Sequence, residues 1–386
     1  MNYFVPFILG VIFVTVNGLT QLVFAQTQGF KLKPASIGLV IAAILSGMLG
    51  LITPITGQSA MIALAGKTAE REQRVAALLL SSVIMAILGL TGSISAAINF
   101  VGPAIMAGMM AGVGLMLTGV GTDFIVDKQK GNLGVGVVSL LSAFVIYFWF
   151  FGDPNVLVYT VAGSVSLSTA YYLIFQRQKD DDLVIPDGET ENGKFWTKEY
   201  WQSDDWKVVK PKFTVKAIIA AMALICLGVG ITTSFGAINA GMAGNAAGLD
   251  GPLPQNFDHL TLVSGIAGFA SELFGGMPLE TIISGTASAP WPVAGNVAVL
   301  TVLAILLIVG VVTKIAKYMP TQSIAGFLVI IGVFSTFLPQ LRNPGFASDL
   351  PVAGVTMAVT KLTNNPFIGV VAGLATRELG HLIGLA

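Results

Sequence analysis

The sequence predicts an all-α, polytopic membrane protein built from two seven-segment repeats in inverted orientation. Of its 386 residues, 54% are hydrophobic and only 10% are charged, whereas soluble domains carry about 25% charged residues. Its apolar runs are mostly near the roughly 20 residues that a helix needs to cross a bilayer. Glycine and proline interrupt these runs at matching places in the two halves, which indicates an internal repeat.

Fourteen apolar segments follow one another along the chain. The first seven lie at roughly 4–25, 35–52, 55–66, 75–99, 103–121, 133–151 and 155–176. The second seven lie near 214–240, 259–275, 279–289, 293–316, 321–340, 350–360 and 366–386. Segments three, ten and thirteen are too short to span a bilayer alone. Broken backbone at membrane depth is tolerated only where it is buried in protein or lines a cavity.

The two halves share sequence features around these breaks. GLVIAAILSGMLGLITP at 38–54 resembles TLVSGIAGFASELFGGMP at 261–278, and a short segment follows each closing proline. Because seven is an odd number, the second repeat must be inverted relative to the first. Paired, Gly/Pro-interrupted segments in inverted repeats are typical of secondary transporters with a site near the bilayer midplane. The predicted organisation is a first repeat at 1–176, a hydrophilic linker at 177–213 and a second repeat at 214–386.

The distribution of charge predicts an orientation. All but two of the 20 Lys and Arg residues fall in odd-numbered loops, the exceptions being Arg342 and Arg377. Since cytoplasmic loops carry the Lys/Arg excess, we expect a cell (inner) membrane protein with a cytoplasmic linker and both termini outside. The linker carries Trp196, Trp201 and Trp206, which we interpret as interfacial side chains on a solvated connection; docking of a soluble partner is the alternative. The net charge is zero, and no basic, aromatic patch suggests nucleic-acid binding.

Four stretches together resemble the nucleobase-ascorbate transporter family, the nucleobase:cation symporter-2 group that includes xanthine and uracil permeases. They are TPITGQSAMI, GPAIMAGMMAGVGLMLTGVG, GFASELFGGMPLETIISGTAS and MPTQSIAGFLVIIGV. The resemblance implies the 7+7 uracil-permease fold, in which core and gate domains interleave both repeats. It also implies a nucleobase or related heterocycle bound between short strands and half-helices in segments three and ten, coupling to H⁺ or Na⁺, and a homodimer.

Carried onto this chain, the resemblance implies a set of substrate-binding residues. Segment three would contribute Gln58, Ser59 and Ala60, and segment ten the stretch Pro278–Ser284. In segment eight, Thr233 and Ser234 stand where the family has an acidic residue, and Ser284 stands where it has its segment-ten glutamate. Both family carboxylates are therefore missing or moved, so the family's substrate and coupling ion cannot simply be assigned to this protein.

Two carboxylates of this chain's own lie beside the second break. Glu272 and Glu280 are inside apolar sequence, where a charge costs about 2.5–3.5 kcal/mol on insertion scales. They could bind substrate or carry a proton, or one could cap the amides of a broken helix. Glu378, next to Arg377, is better explained by an interfacial ion pair. The predicted coupling residues are Glu272 and Glu280, and the predicted substrate-binding residues are Gln58, Ser59, Ala60, Glu280, Thr281, Ser284, Thr233 and Ser234.

Several of these polar residues also have structural explanations. Thr233 and Ser234 could bond back to carbonyls of their own helix, and Asn17 and Gln21 on segment one could join helices rather than line a cavity.

Two function classes stay open. The first is a permease for a small polar solute, with a nucleobase as the main expectation and an anion carrier of the sulfate-permease type as its alternative. The second is a non-transporting membrane receptor or scaffold that uses the Trp-rich linker. An enzyme is not expected, because His259 and His381 lie in no catalytic or metal-binding arrangement; no cofactor or metal is expected either.

Overall fold

The computed structural model describes residues 4–68, 70–126, 133–153, 156–176, 198–316 and 318–383. The first half contains α1 (Phe4–Thr27), α2 (Ala35–Leu49), β1 (Ile55–Gly57), α3 (Ser59–Gly66), α4 (Arg71–Leu90), α5 (Ile94–Val101), α6 (Pro103–Val126), α7 (Leu133–Trp149) and α8 (Val156–Tyr171). A π-helical turn, Tyr172–Gln176, extends α8. The expected fourth segment is split, because the chain turns at Gly92, where φ is +68°, a conformation that glycine adopts readily.

After the short linker helix α9 (Lys198–Trp201), the second half begins with α10 (Val215–Ala246) and α11 (Phe257–Glu272), followed by β2 (Leu279–Thr281). It continues with α12 (Pro292–Ile308), α13 (Val311–Ala316), α14 (Ala325–Ile330), α15 (Leu338–Leu341), α16 (Pro344–Ser348), α17 (Leu350–Thr363) and α18 (Pro366–Leu382). A π-helical stretch, Ile331–Phe337, joins α14 to α15.

The predicted helical, polytopic membrane protein is confirmed. Within the described residues, six helical stretches are long and apolar enough to cross a membrane: Phe7–Thr27, Arg71–Leu90, Pro103–Val126, Val156–Gln176, Val215–Ala246 and Thr321–Leu341. Four shorter apolar helices, α2, α7, α12 and α17, accompany them.

The helices pack in two groups, each drawing on both halves of the sequence, and we name them the core group and the gate group by their packing alone. α3 is counted with the core group, because it packs on α10, α1 and α4. In the core group, α11 packs on α4 and α2, α12 packs on α2 and α1, and α10 packs on α4. In the gate group, α17 packs on α6 and α18, α14 packs on α6 and α7, and α7 packs on α8. The division into repeats at 1–176 and 214–386 stays a prediction, but the packing places elements from both halves in each group.

Glycines allow the closest contact in the core group. A Cβ atom at Gly265 of α11 would lie 2.4 Å from the amide nitrogen of Ala86 in α4, and one at Gly89 of α4 would lie 2.4 Å from the amide nitrogen of Leu262. The backbones of α4 and α11 therefore touch, as small residues permit in membrane helix pairs.

The two broken segments meet as a pair of antiparallel strands. Ile55 lies opposite Thr281, Thr56 opposite Glu280, and Gly57 opposite Leu279. The pairing continues where the Ile282 amide donates to the Pro54 carbonyl at 3.0 Å. Each strand thus satisfies the other's backbone at membrane depth, which lipid could not do.

The segments that follow the two strands differ in length. Segment three continues as the eight-residue helix α3, whereas segment ten continues only as a four-residue 3-10 helix, Gly285–Ser288. The expected half-helix in segment ten is therefore a single turn, because Pro290 and Pro292 follow at once and proline cannot donate to a continuing helix.

Residues 198–213 of the linker are docked onto the core group rather than freely solvated. The buried Lys33 ammonium, in the α1–α2 loop, lies 2.6 Å from the Asp205 carboxylate, and the Val209 amide donates to the Leu273 carbonyl at 3.1 Å. Residues 177–197, including Trp196, lie outside the described part of the chain. We call the surface formed by the α1–α2 loop, the α3–α4 loop and residues 198–213 the linker face.

Candidate functional site

The start of α3 presents backbone donors inside the protein. Of its first four amides, Met61 donates to the Gln58 side-chain oxygen and Ile62 to the Gln58 carbonyl, both at 2.9 Å. In the part of the chain that the structure describes, the amides of Ser59 and Ala60 have no such acceptor. Both residues are buried, at 2% and 5% exposure. Two unpaired amides at the positive end of a helix can bind a hydrogen-bond acceptor, and an anion in particular.

The side chains around this helix start fix its position. Gln58 is the N-cap residue of α3, so its amide oxygen is already used. The Ser59 hydroxyl donates to the Gln21 side-chain oxygen of α1, and Gln21 is itself buried. Gln21 therefore holds the break in place, as the helix-joining interpretation expected.

The second break is held by a residue that the sequence did not single out. Asn239 of α10 accepts from the Ser284 amide at 2.9 Å and donates to the Ile282 carbonyl at 2.8 Å and to the Thr53 hydroxyl at 3.3 Å. It therefore links α10 to both broken segments. The Ser284 hydroxyl caps the following 3-10 turn, accepting from the Thr286 amide at 3.2 Å.

Glu280 is fully enclosed and hydrogen-bonded on one of its oxygens. Its Oε1 accepts from the hydroxyls of Thr232 at 2.9 Å and Ser264 at 2.8 Å, and from the Thr281 amide at 2.8 Å. The residue is 1% exposed, and no ion pair in the described residues includes it. Its other oxygen points toward Gly228, where an added Cβ would lie 3.1 Å away. A buried carboxylate without a cation is costly to keep charged.

Glu272 occupies a different place from Glu280. It lies at the end of α11, 1% exposed, and accepts from the Ser82 hydroxyl of α4 at 2.6 Å. Its contact is therefore with the α4–α11 pair and not with the paired strands.

Thr233 and Ser234 do not join the strands either. Thr233 donates back to the Val229 carbonyl at 2.8 Å, and Ser234 accepts weakly from Gln340 at 3.5 Å. The neighbouring Thr232 reaches Glu280 instead, because one residue along a helix turns the side chain by about 100°.

Two threonines beside the break have hydroxyls without partners. The Oγ1 atoms of Thr56 and Thr281 are buried and have no hydrogen-bond partner among the described residues. Buried hydroxyls are usually paired, so these two are exceptions beside the paired strands.

The structure therefore brings together most of the predicted site and adds to it. Gln58, Ser59, Ala60, Glu280, Thr281 and Ser284 lie on the two paired breaks, whereas Thr233, Ser234 and Glu272 lie apart from them. The residues that sequence reasoning missed are Thr232, Ser264, Asn239 and Ser82. Their only sequence signal is a small polar side chain within an apolar helix. Within the described residues, no group of three or more His, Cys, Asp and Glu side chains could hold a metal ion.

Comparison with solved structures identifies the architecture. The transmembrane domain of a cyanobacterium bicarbonate transporter, BicA, matches with a TM-score of 0.60 and 16% identity, over 94% of this chain and 97% of that one. SLC26A9 matches with a TM-score of 0.64 and 14% identity, over 99% of this chain and 66% of that one. The murine Slc26a9 anion transporter in its inward-facing state matches at 0.65 and 16%, over 100% and 69%.

No protein-family model matches the chain, and no curated protein matches it. The expected membership of the nucleobase-ascorbate transporter family is wrong, because the matching structures are of the bicarbonate transporter and SLC26 kind. The physical reason is that a proline-started, glycine-rich break dictates strand and turn geometry irrespective of the solute. At 14–16% identity these likenesses establish that the chain has the inverted-repeat transporter fold of the SLC26 structures.

Proposed function

We propose that this protein is a secondary transporter of a small anion, with its site between the start of α3 and the β1–β2 pair. The observation that carries the proposal is the pair of buried, unpaired amides of Ser59 and Ala60. Backbone amides at a helix start attract negative charge without placing a full positive charge in the membrane.

The fold supports an anion as the solute. One neighbour is described as a bicarbonate transporter and another as an anion transporter. The unpartnered hydroxyls of Thr56 and Thr281 add two donors that an oxyanion or a halide could accept from.

Glu280 sets the condition under which an anion could bind here. A charged carboxylate so near the site would repel the solute, whereas a protonated one would not. We therefore assign to Glu280 a proton that travels with the anion, which makes the protein a proton-coupled symporter. Glu272, held by Ser82 and apart from the strands, is the second carboxylate through which that proton could pass.

Uptake into liposomes tests this proposal. Purified protein should take up at least one of labelled bicarbonate, chloride and sulfate, faster when an inward proton gradient is imposed. Absence of uptake for all three, together with no anion-dependent gain in thermal stability, would refute the proposed function.

A single substitution tests the role of the proton. Glu280→Gln keeps an oxygen that can accept from Thr232 and Ser264 but removes the titratable group. Anion uptake should persist and lose its stimulation by the proton gradient. Glu378→Gln, the same chemical change at the exposed end of α18, is the control and should leave the stimulation intact. Stimulation that survives in Glu280→Gln contradicts the coupling assignment.

A further inference from the structure

A narrow cavity runs along α3 between the core group and the gate group. Its wall includes Ala60, Leu64 and Lys67 on the core side, with Met116 and Val120 of α6 on the gate side. Ala60 stands at the α3 start with its unpaired amide, and Lys67 follows the last residue of the helix. At a rise of 1.5 Å per residue, the two positions are about 10 Å apart. The cavity therefore lies between Lys67 at the linker face and Ala60 at the edge of the proposed anion site.

Lys67 is the charged residue in this wall; the other described lining residues are apolar. Its side chain is exposed at the linker face, and no ion pair or hydrogen bond of its ammonium occurs in the described residues. Partial burial lowers the pKa of Lys67, Lys361 of the gate group lowers it further, and Asp123 raises it. Lys67, which lines the cavity, thus has one lysine and one aspartate near enough to act on it, and the three together carry a net positive charge.

The position of Lys67 also offsets an unfavourable charge. The start of α3 faces the anion site, so its negative, carbonyl end faces the mouth of the cavity. An anion arriving from the linker face would meet that negative end first. A lysine at the end of the helix reverses the sign of the field there.

We propose that Lys67 is the capture residue for anions, that is, the residue that first binds an anion arriving from the linker face. It holds the anion at the mouth of the cavity before the anion passes along the apolar lining to the amides of Ser59 and Ala60. This inference rests on the proposed anion function. In the other interpretation, Lys67 only stabilises the end of α3, and the two roles differ in what its replacement changes.

The accessibility of a cysteine at position 60 tests the capture role without any transport measurement. Cys226, the single natural cysteine, is first replaced by alanine, and Ala60→Cys is introduced as the reporter. Its rate of modification is measured in detergent with a negatively charged and a positively charged methanethiosulfonate reagent of similar size. The ratio of the two rates reports the electrostatic field along the route.

In Lys67→Gln, the ratio of the anionic to the cationic rate should fall by ~3–10-fold at low ionic strength, and the fall should shrink in high salt. Lys67→Arg should keep the original ratio, because it keeps the charge. Lys210→Gln, which removes an exposed lysine of the same face outside the cavity, is the control and should also keep it.

Two results would overturn the capture role: an unchanged ratio in Lys67→Gln, or no modification of Ala60→Cys by either reagent. A fall in thermal stability in both Lys67→Gln and Lys67→Arg, with unchanged ratios, would assign Lys67 to helix stability alone. Failure of the proposed function would be seen separately, as wild-type protein that moves no anion.

Discussion

Thr56 and Glu280 lie directly opposite each other in the two-stranded sheet, yet of these two side chains only that of Glu280 has hydrogen-bond partners among the described residues. Opposing residues on one face of an antiparallel pair are about 5 Å apart at Cβ, so both side chains belong to one polar patch at membrane depth. Three donors bond to one oxygen of the carboxylate, whereas the threonine hydroxyl has no partner in the part of the chain that the structure describes. The patch therefore contains one side chain that the protein fixes and one hydroxyl that the described residues leave without a partner.

Thr56→Val should separate solute binding from folding. Valine keeps the shape and removes a hydroxyl that has no partner, so thermal stability in detergent should stay the same or rise slightly. If the hydroxyl contacts the anion, the half-saturating anion concentration should rise by about fivefold, the equivalent of one hydrogen bond of ~1 kcal/mol. Thr232→Val is the matched comparison: it removes a bond to Glu280 and should lower the melting temperature. A Thr56→Val protein as unstable as Thr232→Val would contradict this assignment.

The buried Lys33–Asp205 ion pair should contribute to stability in a way that a double substitution reveals. Lys33→Met alone leaves a buried carboxylate unpaired, which costs ~3–5 kcal/mol, whereas Lys33→Met with Asp205→Leu should recover most of the loss. Thermal unfolding of the single and double variants gives the coupling. The exposed Lys207–Asp204 pair, at 73% and 83% exposure, is the control, and Asp204→Asn should leave the melting temperature nearly unchanged, because an exposed ion pair is screened by solvent. Equal effects at the two pairs would show that the buried Lys33–Asp205 pair contributes no more than an exposed pair does.

Lys31 should make the stability of the docked linker depend on pH. Burial, followed by the charge of Arg71, lowers the pKa of Lys31 to about 8, although Asp205 and Asp204 act in the opposite direction. The unfolded chain, with the ordinary lysine pKa of 10.5, binds more protons than the folded one between these two values. Stability from this group therefore rises with pH from about 8 to 10.5 and is flat below pH 8.

The measurement is the melting temperature of wild type minus that of Lys31→Gln across this range. The difference should grow in favour of wild type above pH 8. Lys210→Gln, changed at an exposed lysine of the same segment, should follow wild type throughout. A constant difference for Lys31→Gln would mean that the ammonium is not desolvated by the docked linker.

Replacement of Gly265 by any larger residue should destabilise the contact between α4 and α11. Gly265→Ala would place a Cβ 2.4 Å from the Ala86 amide nitrogen and 2.7 Å from the Ser82 carbonyl oxygen, so the two backbones would have to separate. We expect loss of several degrees in melting temperature and reduced yield of folded protein. Gly241→Ala in α10 has no atom within 4 Å of the added methyl, so the higher helix propensity of alanine should leave it neutral or more stable. Similar behaviour of the two variants would argue against the close contact.

Cysteine labelling should decide the orientation predicted from charge. On a Cys226→Ala background, Asp250→Cys lies on the face opposite the linker and Lys207→Cys on the linker face. In intact cells an impermeant maleimide should label Asp250→Cys. It should label Lys207→Cys only after the membrane has been permeabilised, because the Lys/Arg excess marks the cytoplasmic side. The opposite pattern would place both termini inside and the linker outside.

Composition and the positions of proline and glycine are sufficient to assign the class of protein and the places where its helices break. Hydropathy alone separates the apolar segments, since each must satisfy its backbone internally, and proline and glycine at Pro54, Gly275 and Pro278 forbid continuous helices there. The break at Pro54 and the one at Pro278 could be matched before any fold was known. The Lys/Arg excess in the odd-numbered loops follows from the sequence in the same way, because it depends on loop composition and not on packing.

The contacts between polar side chains, in contrast, depend on how the helices pack against one another. Glu280 is enclosed by hydroxyls from α10 and α11. Whether Thr232 or Thr233 contacts Glu280 depends on the rotation of α10 about its axis. Because α10 is apolar on every side, hydropathy gives it no preferred face. Asn239 became visible as the link between the two breaks only when α10 was placed across them. The docking of residues 198–213 likewise depends on Lys33 and Asp205, which are 172 residues apart. Such contacts join distant parts of the chain, so local sequence patterns could not reveal them.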